Sequence, residues 1–172
     1  DVCSSDLLWA AGAVSQPRPD RLRGVATGTR APVLPGMAPL EEAVADLWAT
    51  GISPDGHPTS FFRDRLRALG VRTADELGVL DDGARIVVAG VVTHRQRPPT
   101  AGGVTFVNVE DETGHVNVIV SRGCWRRHEE AASASSILVR GRLRRADGAV
   151  NVEAEHIGAL GVPARIASRD YH

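Results

Sequence analysis

The sequence contains no lysine, and all 20 of its basic residues are arginine. They are balanced by 21 aspartate and glutamate residues, which leaves a formal net charge of -1. This balance gives no global electrostatic argument for a nucleic-acid partner. A GC-rich coding sequence explains the absence of lysine more simply than selection for guanidinium chemistry does.

Cysteine and long apolar runs are also scarce. The two cysteines, Cys3 and Cys124, are too few for a disulfide framework and suit a reducing cytosol. No window approaches 18 uninterrupted apolar residues, so the sequence predicts no membrane-spanning helix. We therefore expect a cytoplasmic protein without a membrane partner. Its 172 residues suffice for one domain of good size or two small ones.

The first seven residues, DVCSSDL, look like the in-frame translation of a common sequencing adapter. We expect residues 1–7 to be an artefact of that origin and the rest to be part of a longer protein. Residues 8–38 are then predicted to hold the end of an upstream domain, LWAAGA at 8–13, and a linker. Five prolines between residues 15 and 39 remove backbone donors and fix φ, which predicts an extended linker.

Residues 39–82 are predicted to form a small helical region. Apolar residues recur at helical spacing over 39–51, and a second helix is predicted over 61–69, capped by Thr59 or Ser60. A short helical turn is expected after it, before the chain enters the next domain. The second helix carries three arginines, which we interpret as a solvated face more readily than as phosphate contacts: Arg63, Arg65 and Arg67.

The central feature of the second half is the segment 103–120, in which two apolar, β-branched runs flank an acidic turn. This pattern predicts a β-hairpin. A strand is predicted before it, over 85–94, and the mid-strand Gly90 is expected to mark a bulge or a sharp bend.

A helix over 122–132 and two strands over 136–144 and 150–157 complete the order β-β-β-α-β-β. That order is typical of the OB-fold, a small five-stranded barrel. We therefore predict a mainly β protein with small helical segments, in which a proline-rich linker and a short helical region precede the barrel. The barrel should occupy residues 83–160 and be followed by a tail at 161–172.

The last two strands are predicted to be joined by a two-residue turn, Asp147-Gly148. This register places three arginines in cross-strand pairs: Arg144 opposite Asn151, Arg142 opposite Glu153 and Arg140 opposite Glu155. Opposite-charge pairs of this kind contribute about 0.2–1 kcal/mol each. We interpret this arginine stripe as an internally neutralised surface rather than a phosphate track.

The loop after the first strand is the stronger candidate for a binding site, since the first loop of an OB-fold is one of two that bind oligonucleotides. Arg95 and Arg97 lie in it, with no acid nearby in sequence to neutralise them. Phe106 either stacks on a base, worth about 1–3 kcal/mol, or fills the barrel. Trp125 either covers the end of the barrel or forms a second cluster with nearby arginines: Arg122, Arg126 and Arg127.

Signals for catalysis are weak. Cys124 and His128 have the i, i+4 spacing that a zinc site or a Cys–His pair uses, but no further ligands follow at diagnostic spacing. The acidic run at 110–112 is expected to be turn chemistry. No phosphate-binding loop, dinucleotide motif or Ser/His/Asp order is present. The sequence therefore predicts no catalytic residue, no metal site and no cofactor in this chain.

Several of these stretches resemble the C-terminal region of the bacterial C-family DNA polymerases, to which the replicative alpha subunit belongs: GVVTHRQRP at 90–98, FVNVEDETGHVNVIV at 106–120 and VRGRLRRADGAVNV at 139–152. The resemblance is closer to the error-prone, translesion branch, which shares four more stretches: LWAAGA at 8–13, LPGM at 34–37, DLWATGISPDGHP at 46–58 and SRDYH at 168–172. An RNA-binding OB-fold of a tRNA enzyme would lack LPGM and SRDYH.

The resemblance implies a parent enzyme that adds deoxynucleotides opposite damaged template, in translesion synthesis and DNA repair, with magnesium as its expected cofactor. It places the catalytic carboxylates upstream, so no catalytic residue is carried over. It places the OB-fold near the single-stranded template and marks His94, Arg95 and Arg97 as DNA-binding residues. The full set of predicted nucleic-acid contacts is His94, Arg95, Arg97, Phe106, Arg122 and Trp125.

The resemblance also implies accessory mutagenesis proteins and the sliding clamp as partners, although we find no convincing clamp-binding peptide. The alternative function is a protein-interaction module that docks accessory proteins and makes little direct contact with DNA. The near-zero net charge and the self-paired arginine stripe favour this alternative. Arg95 and Arg97, which have no acid nearby in sequence, favour DNA binding.

Overall fold

The computed structural model describes residues 36–51, 54, 56–146, 148–161 and 169–171. The predicted adapter artefact, the upstream segment and almost all of the proline-rich linker lie outside these residues. Met37–His172 belong to one compact unit.

Strands dominate this unit. They are β1 (Val71–Arg72), β2 (Arg85–Gln96), β3 (Thr105–Asp111), β4 (Gly114–Val120), β5 (Ser136–Ala146), β6 (Ala149–Ala159) and β7 (Arg169–Tyr171). The predicted hairpin corresponds to β3 and β4, and β2, β5 and β6 extend beyond their predicted ends.

Five of these strands close into a barrel. β2 pairs with β3, β3 with β4, β4 with β6 and β6 with β5, and β5 returns to pair with β2. The β4–β6 pairing is parallel, and the other four are antiparallel. This is the topology of the OB-fold, so the predicted fold class is confirmed.

The core lies inside the barrel because alternate residues of each strand face inward. On β3, Val107 and Val109 are buried, whereas Phe106 and Asn108, which alternate with them, are half-buried and face outward. Val118, Val120, Ile137, Val139, Leu143 and Val152 from the other strands are fully buried in the same cluster. The predominance of valine suits a buried strand for two reasons. β-branched side chains favour strands, and burial of each side chain stabilises the fold by about 1.5–3 kcal/mol.

The helices are short. They are α1 (Pro39–Thr50), α2 (Arg63–Ala68), α3 (Arg122–Arg127) and α4 (Glu129–Ala132), together with 3-10 turns at Ser60–Phe62, Asp75–Val79 and Pro99–Ala101. The prediction of one continuous helix over 122–132 is wrong. His128 leaves the helical region with φ -128° and ψ 27°, and its N–H closes α3 by donating to the carbonyls of Cys124 and Trp125.

Of the two alternatives predicted for Gly90, a bulge or a sharp bend, the bulge is wrong. The register between β2 and β3 shifts instead at Thr93, between Val92 and His94. Glycine is required at position 90 for a different reason. A Cβ there would overlap the carbonyl oxygen of Glu110, so its absence lets β3 approach β2 closely.

The tip of the β3–β4 hairpin joins the helical region to the barrel. Arg63 on α2 donates from Nε and Nη2 to the carboxylate of Glu112, and the Thr59 hydroxyl donates to the same carboxylate at 2.6 Å. Asp111 accepts a hydrogen bond from the backbone N–H of Ala74 at 2.9 Å. The prediction that Thr59 or Ser60 caps the following helix is wrong. The Thr59 hydroxyl donates to the hairpin tip, and the Ser60 hydroxyl donates to the carbonyl of His57.

A second attachment lies at the opposite end of the 3-10 turn Asp75–Val79. The guanidinium of Arg145 donates to the carbonyls of Leu77, Gly78 and Leu80, and the Arg145 backbone N–H donates to Asp82. Both ends of the turn are thereby tied to the barrel.

Part of the predicted tail also returns to the barrel. β7 pairs in parallel with the second half of β2, with His94 opposite Arg169 and Gln96 opposite Tyr171. This pairing occupies the edge of β2 that β5 leaves free, because β5 covers only Arg85 to Val91.

Candidate nucleic-acid interface

The loop between β2 and β3 and helix α3 meet at the pair Arg97 and Trp125. The guanidinium carbon of Arg97 lies 4.6 Å from the centre of the Trp125 ring, which is cation–π geometry. The Arg97 Nε also donates to the hydroxyl of Thr105 at 3.0 Å. Two contacts therefore hold this guanidinium in place, and Arg97 of the first predicted cluster lies beside Trp125 of the second.

Helix α3 presents its arginines to the same surface. Arg122, Trp125 and Arg126 are spaced i, i+3 and i+4, so they share one face of the helix. The helix begins at Ser121, whose side chain accepts a hydrogen bond from the Cys124 N–H at 3.2 Å. This cap sets the direction in which the arginines emerge.

Glycine in the loop lets Arg122 lie against the backbone. Gly103 has φ 86°, and a Cβ there would lie 3.1 Å from the Cδ of Arg122. The result is an open cleft of about 320 Å³ lined by Arg97, Gly102, Gly103, Arg122, Trp125, Arg126 and Glu129. Three arginines and one carboxylate thus surround a half-buried indole. Trp125 also packs against the barrel core.

Arg95 is not the free cation that we predicted. Its side chain is only 8% exposed, and its guanidinium donates to the carbonyl of Ala132 at 3.0 Å and to that of Ala134. The inference from sequence is wrong because backbone carbonyls at the end of α4 and just after it accept hydrogen bonds from this guanidinium. Arg95 therefore fixes the α4–β5 connection and does not line the Arg97–Trp125 cleft.

The remaining predicted residues lie on the outer face of the barrel. His94 pairs across the strands with Asn108, and Phe106 pairs with Gln96 and Ile119. Since Phe106 faces away from Val107 and the core, it does not plug the barrel. It lies on the face formed by the second and third barrel strands, the one that OB-folds use for oligonucleotides.

The polar row containing His94 and Asn108 continues across the next two strands. Asn117 on β4 is paired with Asn108, and its amide donates to the side-chain oxygen of Asn151 on β6 at 2.7 Å. Asn108 and Asn117 were not identified as surface residues from the sequence. The alternation of Asn with buried valines in both strands is the signal that would have placed them on this face.

The arginine stripe on β5 is only partly neutralised. The pairs Ala146–Ala149, Arg144–Asn151 and Arg142–Glu153 are in the predicted register. Arg144 forms an ion pair with Glu153 and Arg142 with Glu155, each at 2.9 Å. The predicted pairing of Arg140 with Glu155 is wrong, because a register shift after Gly141 places Arg140 opposite His156.

The acidic hairpin tip makes the hydrogen bonds of a turn, as predicted. It also accepts hydrogen bonds from Thr59 and Arg63 through Glu112, and we call this second set of bonds the clamp at the hairpin tip. The Oδ1 atom of Asp111 accepts hydrogen bonds from the Thr113 N–H at 2.8 Å and the Gly114 N–H at 3.1 Å. Burial alone would raise the pKa of Glu112, but hydrogen bonds from Arg63 and Thr59 outweigh it and hold this pKa at about 2. Arg63 is thus a partner of Glu112 rather than a solvated or phosphate-binding residue. The sequence carries no signal for this pairing.

Cys124 and His128 are not part of a metal-binding cluster among the described residues, despite their i, i+4 spacing. Cys124 is buried with a free thiol, and burial raises the pKa of that thiol. The ring of His128 lies 4.8 Å from that of His156. Among the residues described above, no group of three or more His, Cys, Asp or Glu side chains is arranged to hold a metal ion. No helix in that part of the chain is long and apolar enough to cross a membrane.

The barrel matches a known domain family, and the chain as a whole is similar to known proteins. Residues 86–160 match a family described as OB-fold nucleic acid binding domain. An error-prone DNA polymerase of Mycobacterium bovis is 53% identical over 167 residues, which cover 96% of this chain and 15% of that protein. The error-prone DNA polymerase of Nocardia farcinica is 54% identical over 165 residues, or 95% of this chain and 14% of that protein.

Among solved structures, an asparaginyl-tRNA synthetase from Pyrococcus horikoshii aligns with a TM-score of 0.45 and 22% identity over 55% of this chain and 23% of its own. A likeness of that size carries no functional argument. The chain spans about 15% of the length of the curated relatives it matches. Along nearly all of its residues, the chain thus matches a C-terminal piece of error-prone DNA polymerases.

Proposed function

We propose that this chain is the part of an error-prone DNA polymerase that holds single-stranded template DNA during translesion synthesis and DNA repair. The observation that carries the proposal is the cleft in which Arg97 lies over Trp125, beside Arg122 and Arg126. Such a combination of aromatic and guanidinium groups is typical of surfaces that bind single strands without sequence preference.

Each group in the cleft has a separate role in this proposal. The Trp125 ring and the guanidinium of Arg97 provide flat surfaces on which a base stacks. Because Arg97 is already held by Trp125 and Thr105, little side-chain entropy is lost when a base binds. Arg122 and Arg126 are exposed and neutralise the phosphates that flank the stacked base.

The outer face of β3 and β4 extends this surface. Phe106 provides a further stacking surface, and His94 and Asn108 provide polar groups beside it. Glu129 lines one side of the cleft, so the phosphates are expected to follow the side formed by Arg122. Arg95 is left out of the proposed contacts because its guanidinium is bonded to backbone carbonyls.

The polymerase reaction itself is assigned to other parts of the parent protein, in the cytoplasm. The magnesium ions that the family implies do not fit the residues described in this structure, which contain no suitable group of carboxylates. The role proposed for the described residues is therefore binding of the template strand and not catalysis.

Fluorescence anisotropy with the full chain and a labelled single strand of about 20 nucleotides tests the proposal across about 50–200 mM salt. The variant Arg122→Gln with Arg126→Gln should flatten the dependence of log K on log salt by about 1.4, or about 0.7 for each lost phosphate contact. The variant Arg65→Gln with Arg67→Gln removes the same charge from the exposed face of α2 and serves as control. No binding by the wild type at about 50 mM salt would refute the proposal.

A second candidate function is the docking of accessory mutagenesis proteins or the sliding clamp. The ion pairs of Arg142 with Glu155 and of Arg144 with Glu153 favour it, because they leave a mixed-charge surface on β5 and β6. Protein interfaces carry such mixed charge on their polar rims. If DNA binding fails, this surface becomes the first to examine for a protein partner.

A further inference from the structure

The β5–β6 hairpin contains a bulge that changes which arginines are neutralised. Gly141 is paired with Ala154 but Arg140 with His156, so Glu155 is the extra residue on β6. A Cβ at Gly141 would overlap the carbonyl oxygen of Glu153. The glycine therefore permits the close approach of β6 at this point, and bulges of this kind re-aim the side chains next to them.

The bulge directs the Glu155 carboxylate to Arg142 and away from Arg140. The Nε of Arg142 donates to Glu155 at 2.9 Å. In the portion of the chain that the structure describes, Arg140 has no ion pair, although in a regular hairpin Glu155 would lie directly opposite it.

A second unpaired arginine lies on the neighbouring strand. β2 pairs with β5 so that Arg85 is opposite Arg142 and Val87 is opposite Arg140. Arg85 is exposed and likewise has no ion pair with any described residue. Since Arg142 is already bonded to Glu155, Arg85 and Arg140 are the arginines on this part of β2 and β5 whose charge no described carboxylate neutralises.

The two arginines line one cleft. Its volume is about 360 Å³, and its walls are Arg85, Ile86, Val87, Arg140, Glu155 and His156. Its only carboxylate among these lining residues is Glu155, which is already bonded to Arg142. It shares no lining residue with the Arg97–Trp125 cleft.

We infer that Arg85 and Arg140, with His156 beside them, form a second binding site that takes the phosphodiester backbone of DNA. The choice of DNA as the ligand rests on the proposed function. The observation that Arg85 and Arg140 have no ion pair with a described residue is independent of it. No Trp, Tyr or Phe ring lines this cleft, so it offers phosphate contacts without base stacking. It lies on the first, fourth and fifth barrel strands, away from the face of β3 and β4.

The helical segment between β4 and β5 connects the two clefts. Arg126 and Glu129 line the first cleft, and His128 between them contacts His156 of the second. One strand of DNA that crosses this junction can therefore contact Trp125 through a base and Arg140 through a phosphate. The inferred site would keep the strand bound where no base is stacked.

An abasic oligomer of about 20 deoxyribose phosphates removes the base stacking of the first cleft, because it has phosphates but no bases, and a substitution of Arg85 and Arg140 then isolates the phosphate contacts of the second. Its binding to the full chain is measured by anisotropy at about 50–200 mM salt. Arg85→Gln with Arg140→Gln should lower the slope of log K against log salt by about 1.4. The fourfold rise in salt then costs the wild type about 7-fold more affinity than it costs the variant.

Two further variants serve as controls. Arg65→Gln with Arg67→Gln has the same net charge and should leave the slope unchanged, and Arg85→Lys with Arg140→Lys should restore it. A slope for Arg85→Gln with Arg140→Gln that equals that of the α2 control overturns the inference, as does wild-type protein that fails to bind the abasic oligomer. Failure to bind a base-containing strand refutes the proposed function instead, so the two failures are distinguishable.

Discussion

The guanidinium of Arg97 lies over the ring of Trp125 at 4.6 Å, although one residue belongs to the β2–β3 loop and the other to α3. A contact of this kind contributes about 0.5–1 kcal/mol at an exposed site. Its larger effect is on order, since it fixes a loop arginine against a helix that is itself packed on the barrel core.

Replacement of Trp125 by leucine should weaken binding of a thymidine strand about 5- to 150-fold, the equivalent of one lost stacking interaction of about 1–3 kcal/mol. Trp125→Phe should recover most of this loss. The salt slope should be unchanged in both variants, because no phosphate contact is removed. A loss of affinity accompanied by a flatter slope would contradict the stacking role.

Arg95 and Arg97 should respond in opposite ways to substitution. Arg95→Met removes charge-assisted hydrogen bonds to the carbonyls of Ala132 and Ala134, and we expect the free energy of unfolding to fall by about 1.5–3 kcal/mol. Arg97→Gln should lower the free energy of unfolding by only about 0.5–1 kcal/mol, through the lost contact with Trp125, and weaken DNA binding. Urea unfolding and anisotropy on the same two variants check this. Equal stability of the two variants would show that the Arg95 contacts are not structural.

Glu112 should make stability depend on acid pH. Its pKa is about 2 in the folded protein and near the ordinary 4.5 when unfolded, so its contribution is fully present above about pH 4.5. That contribution is lost as the pH falls from about 4.5 towards about 2. Allowing for solvent screening, we expect the loss to be about 1–2 kcal/mol.

The matched variant for this prediction is Glu112→Gln, measured by urea unfolding at several pH values. The wild type should be more stable than Glu112→Gln at pH 6, and the difference should shrink towards pH 3. Arg63→Gln should lose the same pH dependence, because Arg63 is the main charged partner of Glu112. A constant difference between wild type and Glu112→Gln across this range would contradict the clamp.

Gly90→Ala and Gly141→Ala should each lower stability by about 1–3 kcal/mol, since the added methyl group would overlap a backbone carbonyl. Gly158→Ala is the control, because Gly158 also lies in a strand but has no atom within 4 Å of its Cβ position. It should be neutral within about 0.5 kcal/mol. Equal midpoints for all three variants in urea would contradict the close approach of the strands.

Much of the barrel is predictable from the sequence because its information is local. Alternating valines define β3 and β4, and an acidic turn joins them, so hairpin and strand order follow from neighbouring residues. The register of β5 and β6 is also predictable for the pairs from Ala146–Ala149 to Arg142–Glu153. Beyond Gly141 it is not, since counting outward from a turn fails where a bulge adds one residue.

The site is less predictable because it depends on contacts between distant segments. Nothing near Arg95 in the sequence indicates that its guanidinium will donate to the carbonyls of Ala132 and Ala134. Similarly, Arg63 and Glu112 meet only because α2 packs at the hairpin tip. Arg97 and Trp125 were each identified as candidates, but their contact requires the path that the loop takes through Gly102 and Gly103.

The clamp at the hairpin tip has a consequence for motion. Turns at the ends of hairpins are ordinarily among the first parts of a barrel to open. Here the N–H groups of Glu112, Thr113 and Gly114 all donate to side-chain oxygens, and the tip is bonded to α2. Amide hydrogens at this tip should therefore exchange slowly with solvent. We therefore expect this end of the barrel to be rigid. The loop between β2 and β3, which contains Gly102 and Gly103 at the opposite end of β3, is the segment expected to adjust to a bound strand.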